Sequence, residues 1–146
     1  MLPRTHIILG AMFSIILWFI FPQTSWIYLG LVFLSSFLID FDHYATCVLK
    51  TGRVGLFHSF EYHRRQGIKQ RNEKKMGIRR RGDFHFFHTV EFHALVFVLG
   101  LFFAPFYYIF IGMIFHSLMD LISLIHKDFM YLREFFFVNW VAKKIR

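Results

Sequence analysis

Apolar positions along the chain come in long, nearly unbroken runs rather than in alternation, and the polar interruptions between them are few. The first run, about Thr5 to Phe21, stops at Pro22; PQTS then turns the chain, with Thr24 or Ser25 placed to cap the next helix. The second starts at Trp26 and stays apolar through Ile39, short of the roughly 20 residues a membrane crossing needs. Continued through DFDHYATC toward Lys50, it predicts a helix over about 26–49. Ala94 to Phe115 is again continuous and reads either as one span or as a hairpin turning at Ala104-Pro105. Pro105 biases the residue before it away from helix, Tyr107 and Tyr108 suit an interfacial belt, and a single span would put the basic C-terminal tail outside. The hairpin, helices about 84–103 and 107–125, is therefore preferred.

Between residues 50 and 82 the pattern changes: eleven Lys and Arg stand against two Glu, so this segment is expected to be a cytoplasmic loop. The tail, 127–146, mixes Phe135, Phe136, Phe137 and Trp140 with Lys143, Lys144 and Arg146, which suits a helix lying on the membrane surface. The resulting expectation is one all-α integral membrane domain over 1–146. It has four transmembrane helices, a basic cytoplasmic loop, an interfacial C-terminal helix and both termini in the cytoplasm.

Composition agrees with this class. The chain is 56% hydrophobic and 21% aromatic, with mean hydropathy +0.47, and a small soluble domain cannot bury 22 phenylalanines without large sticky patches. The net charge of +8 would suggest nucleic acid in a soluble chain; here it fits flanks facing anionic headgroups, and no nucleic acid is expected. The N-terminus has the basic-then-apolar order of a signal peptide but no small-residue cleavage site, so it reads as a retained helix. Cys47 alone excludes an internal disulfide and any multi-cysteine zinc site.

Ionisable groups inside membrane helices cost roughly 2.5 to 3.5 kcal/mol each and are usually paired and functional. Three such groups occur, each at helical spacing. Asp40 and His43 are i, i+3; His85, His88 and Glu91 follow in successive i, i+3 steps; His116 and Asp120 are i, i+4. Asp42 lies off the Asp40/His43 face and joins only if the helix frays there. In the four-helix arrangement all three groups meet at the cytoplasmic side, offering the imidazole and carboxylate donors that suit zinc, manganese or iron. The candidate ligands are Asp40, Asp42, His88, Glu91, His116 and Asp120, with His85 as ligand or outer partner. His6, His58, His63, His93 and His126 read as interfacial, loop or otherwise structural histidines.

At these motifs the chain resembles the membrane-bound metal-dependent hydrolase (YdjM-like) family of bacterial inner-membrane proteins. The resemblance rests on D40-F-D42-H43, on R81-G82 followed by H88-T89 with Glu91 beyond, and on H116-S-L-M-D120, over about residues 25–125. Six residues, DFHFFH, follow Gly82 up to His88, so His85 and His88 both qualify for the family's histidine position. The resemblance implies an inner-membrane enzyme. One or two divalent ions, zinc foremost, would activate water, and a site at headgroup depth with basic neighbours points to a lipid phosphoester such as a phospholipid or polyprenyl phosphate, with phosphatase and lipase chemistry both open. Glu91 or His43 would be the general base, and Arg79, Arg80 and Arg81 would hold an anionic headgroup. The alternatives are a non-haem di-iron oxidase or hydroxylase, a metal or proton carrier, and a scaffold recruiting partners through the basic loop.

Overall fold

A computed structural model describes residues 3–145, and the account below is confined to them. The chain forms α1 (Pro3–Ile20), α2 (Trp26–Leu38), α3 (Phe41–Thr51), α4 (Leu56–Lys75), α5 (Val90–Phe102), α6 (Ala104–His126) and α7 (Phe137–Ile145), with 3-10 turns at Phe86–His88 and Met130–Leu132. The fold is all-α. The expected four membrane spans are not there: two helices are long and apolar enough to cross, Trp26–Thr51 (α2 running into α3) and Ala104–His126. Helix α5 has 13 residues, about 20 Å of rise, and falls short of a bilayer core of about 30 Å. Arg4–Ile20 is likewise among the shorter apolar helices.

The shortfall in α5 has a local cause. Residues 84–89, expected as its first turns, leave the helix because Phe87 N–H donates to Asp42 on α3 and Thr89 takes the N-cap, its hydroxyl accepting from Phe92 N–H. The basic segment also departs from expectation, since 20 of its residues form helix α4. In the tail, only Phe137–Ile145 is α-helical. Other local signals appear where the chain placed them. Ser25 caps α2, its side chain accepting from Ile27 N–H, and Pro105 sits in the first turn of α6, where a missing N–H costs nothing.

Helix α6 is the centre of the fold, packing on α1, α2 and α5. A small core of Ile39, Val96 and Met113, with Phe87, Phe92, Ile109 and Phe110 against it, joins α2, α5 and α6. Outward-facing positions such as Ile8, Phe19, Ile27, Leu101 and Ile122 are exposed and apolar, as a lipid-facing surface requires. At one end of the bundle aromatic rings pair, Trp18 with Trp26 and Tyr28 with Tyr108; the histidines and acids gather at the other.

The α2–α6 crossing depends on Gly112. A Cβ there would overlap the Val32 carbonyl oxygen and the Ser35 hydroxyl, so the two backbones meet only without a side chain. Gly112→Ala is expected to cost about 1 to 3 kcal/mol of stability, read by denaturant unfolding in detergent, because the clash is with backbone that cannot step aside. An unchanged midpoint would show that the crossing is looser than this.

Candidate metal centre

Three segments deliver the polar cluster: the break between α2 and α3, the turn before α5, and the unbroken helix α6. The helix from Trp26 is interrupted at Ile39–Asp40, and α3 restarts at Phe41. Asp40 occupies the N-cap of α3, where an aspartate normally binds the helix's free N–H groups, yet its side chain makes no capping bond. Its carboxylate turns instead toward His88 and His116.

There Asp40 Oδ1 lies 3.5 Å from His88 Nε2 and 3.4 Å from His116 Nε2, and the two Nε2 atoms are 3.1 Å apart. The proton positions follow from the other side of each ring. His116 Nδ1 is 2.8 Å from the Ser36 carbonyl oxygen, which can only accept, so Nδ1 carries the proton. His88 Nδ1 is 3.0 Å from Asp42 Oδ2, and the same reasoning makes it the donor. With Nδ1 engaged in this way on both rings, the two Nε2 atoms face each other and a carboxylate oxygen.

Two ring nitrogens and a carboxylate oxygen converging in this way form a seat that suits a cation. Metal–ligand bonds of about 2.0 to 2.1 Å place donor atoms roughly 2.9 Å apart in octahedral and 3.4 Å apart in tetrahedral geometry, close to the sides of the observed triangle. Asp120 Oδ2, 3.8 Å from His116 Nε2, completes a group of Asp40, His88, His116 and Asp120 able to coordinate a divalent ion. His88 and His116 are almost wholly buried, whereas Asp40 and His43 retain 19% and 29% exposure of their side chains, so the cluster opens on the Asp40–His43 side.

The remaining expected residues are spread around this group and beyond it. Asp42 stands behind His88, one oxygen receiving its ring N–H and that of the Phe87 backbone. His43 Nε2 is 3.4 Å from Asp40 Oδ1, at the open edge, and its ring lies 3.7 Å from that of His85. His85 Nδ1 faces Asp42 Oδ1 at 3.7 Å. Glu91 is not brought to the cluster: its carboxylate accepts from Phe137 and Val138 N–H and fixes the start of α7. The helical stripe expected to align it with His88 does not exist, because His88 sits in a 3-10 turn before α5 begins. The three arginines have acidic partners, Arg79 near Asp128, Arg80 near Glu73 and Arg81 bonded to Glu134.

Two participants escaped the sequence reading. His6, taken as an interfacial histidine, is buried with its ring stacked on His116 at 4.0 Å and its Nε2 3.2 Å from Asp120 Oδ1. Arg133, read as an interruption of the tail, donates to Asp120 Oδ2 at 2.9 Å. Nothing in local spacing links residue 6 or 133 to residue 120; a buried carboxylate's need for counter-charge is the sole signal. By contrast His93 is structural, its Nδ1–H donating to the Thr89 carbonyl and its Nε2 paired with the Ser117 hydroxyl across α5 and α6.

Electrostatics follow this geometry. Burial pushes the His88 imidazole down, but the Asp40 and Asp42 carboxylates more than offset it and hold its pKa above the ordinary value. His85 is held well below the ordinary range by burial first and by His88 second, which keeps it neutral with a lone pair to offer. Glu91 is drawn below the usual carboxylate range by the Phe137 N–H.

Asp42→Asn is expected to weaken metal binding about 10- to 100-fold without removing a member of the triangle, since it loosens the tautomer and orientation of His88. Competition titration against a chromogenic chelator measures this, and an unchanged affinity would remove Asp42 from the orienting role.

No family model, curated protein or solved structure matches the chain. The site is therefore read from its own geometry: a buried His/Asp cluster able to hold a metal ion, in an all-α fold with two possible membrane-spanning helices.

Proposed function

We propose that the protein is a membrane-embedded metal-dependent hydrolase, as in the family that its motifs resemble, and that its basic neighbours at headgroup depth direct it to a lipid phosphoester. The observation that carries this reading is the triangle formed by His88 Nε2, His116 Nε2 and Asp40 Oδ1, with sides of 3.1 to 3.5 Å. Zinc suits this donor set best, two imidazoles with carboxylate oxygen, and a zinc ion supplies Lewis acidity and a bound water acidic enough to lose its proton near neutral pH.

The chain's own residues supply the rest. Asp40, His88 and His116 hold the ion, Asp120 closes the group from the buried side under the grip of Arg133, and Asp42 fixes His88. With this ion alone bound, His43, partly exposed and 3.4 Å from Asp40, is placed to accept a proton at Nε2 where the cluster opens. The metal-bearing end of the bundle also carries the basic segment, so the positive-inside tendency assigns it to the cytoplasmic face of the membrane, at headgroup depth. Arg79, Arg80 and Arg81 could meet a phosphate by exchanging their exposed acidic partners for it, a trade that costs little at a solvated surface.

The test is elemental analysis of the purified full chain together with phosphate release from phospholipid and polyprenyl-phosphate vesicles. About one zinc or more per chain, and turnover that disappears with chelation and returns with zinc, is the expected result. Two irons per chain with no phosphate release would replace the hydrolase with an oxidase, and absence of any tightly held metal would end the reading.

A further inference from the structure

Beside the triangle, two buried polar atoms are left without hydrogen-bond partners: Asp42 Oδ1 and His85 Nδ1. Their side chains are only 8% and 10% exposed, and they face each other across 3.7 Å, too far for a hydrogen bond between them. Orphaned buried polar atoms are costly, and a facing carboxylate oxygen and ring nitrogen that both want a partner need something between them. A cation about 2.1 Å from each would span the gap at an obtuse angle, which ordinary coordination allows.

The surroundings favour a cation. His43 packs its ring against that of His85, and one donor atom each of Asp42, His43 and His88 lie within 4.8 Å of one another. His63 Nε2, 2.9 Å from the His43 carbonyl oxygen, anchors the backbone that presents His43. Asp42 divides its work between the two places: Oδ2 orients His88 of the first group, and Oδ1 points into the second. Asp40 likewise stands within 3.5 Å of both His88 and His43.

We propose a second divalent-cation seat between Asp42 and His85, with His43 as its third donor, next to the Asp40–His88–His116 site. It rests on the reading of that first site as a metal centre. Because the first ion repels a like charge beside it, the second binds more weakly, and because His43 is the most exposed member, it fills from the open side.

Metal binding by the full chain in detergent, stripped with chelator and titrated with Mn²⁺ alone, separates the possibilities. Wild-type protein is expected to bind two equivalents in two phases at least tenfold apart, and its doubly loaded form to give the exchange-coupled spectrum of a manganese pair by electron paramagnetic resonance. His85→Gln should keep the tight phase within about threefold and lose the weak one, along with the coupled spectrum. One equivalent in wild type and in His85→Gln alike, with an uncoupled spectrum throughout, would overturn the second seat and leave the first intact. No binding at all would overturn both, and so is distinguishable. Should His85→Gln fail to fold, the stoichiometry and spectrum of the wild-type protein decide the matter unaided.

Discussion

His116→Ala is expected to empty the metal centre and bring hydrolysis down to background. His116 is fully buried, donates its one N–H to the Ser36 carbonyl, and has its remaining nitrogen aimed at Asp40 and His88. Alanine removes a ligand of the triangle and leaves Asp40 and His88 too few to fix an ion. An orienting contact alone is worth about 10- to 100-fold in affinity, so a lost ligand should cost roughly a thousandfold or more. The substitution also removes the ring on which His6 stacks, so metal content must be compared with thermal stability in the same preparations. Metal content equal to wild type in a folded His116→Ala protein would refute the site.

Removing the metal from the wild-type chain is expected to loosen one end of the bundle. Asp40, on the break between α2 and α3, is tied by the cluster to His88, in the turn before α5, and to His116, on α6. Without an ion the triangle loses its central tie, and two of the three segments that it joins already lie outside regular helix. An ion present at about 100 times its dissociation constant contributes about 2.7 kcal/mol. For a domain of this size that corresponds to a fall in Tm of roughly 5 to 10 °C on chelation, recovered on adding zinc. Trypsin offers a second measure: cleavage after Arg79, Arg80 or Arg81 should accelerate in the stripped protein as residues 84–89 lose their hold on Asp42. Identical melting with and without chelator would show that the cluster carries no ion of structural weight.

Much of the secondary structure could be read from neighbouring residues alone, because the signals are local. Pro22 and Ser25 punctuate the chain between α1 and α2, Pro105 opens α6, and His116 and Asp120 share a stripe because both lie within one unbroken helix. The same local logic misled where helices do not continue. It drew one helix from Phe84 and aligned Glu91 with His88, whereas the bond from Phe87 N–H to Asp42 and the Thr89 cap start α5 only at Val90. It also counted four spans, since a run of apolar residues does not reveal how many of them a tertiary contact will pull out of the helix.

By itself, then, the sequence determined an all-α chain, a lipid-compatible composition and an inventory of histidines and acids, because these depend on residue type and short-range spacing. The tertiary structure alone decided which of them meet. His6, Arg133 and the Ser36 carbonyl join Asp120 and His116 only through packing of α1, α2 and the tail around α6, and Glu91 is taken up by α7. The physical reason is that a coordination triangle is set by long-range contacts and by the direction of ring protons, and both depend on the hydrogen-bond partners that folding supplies.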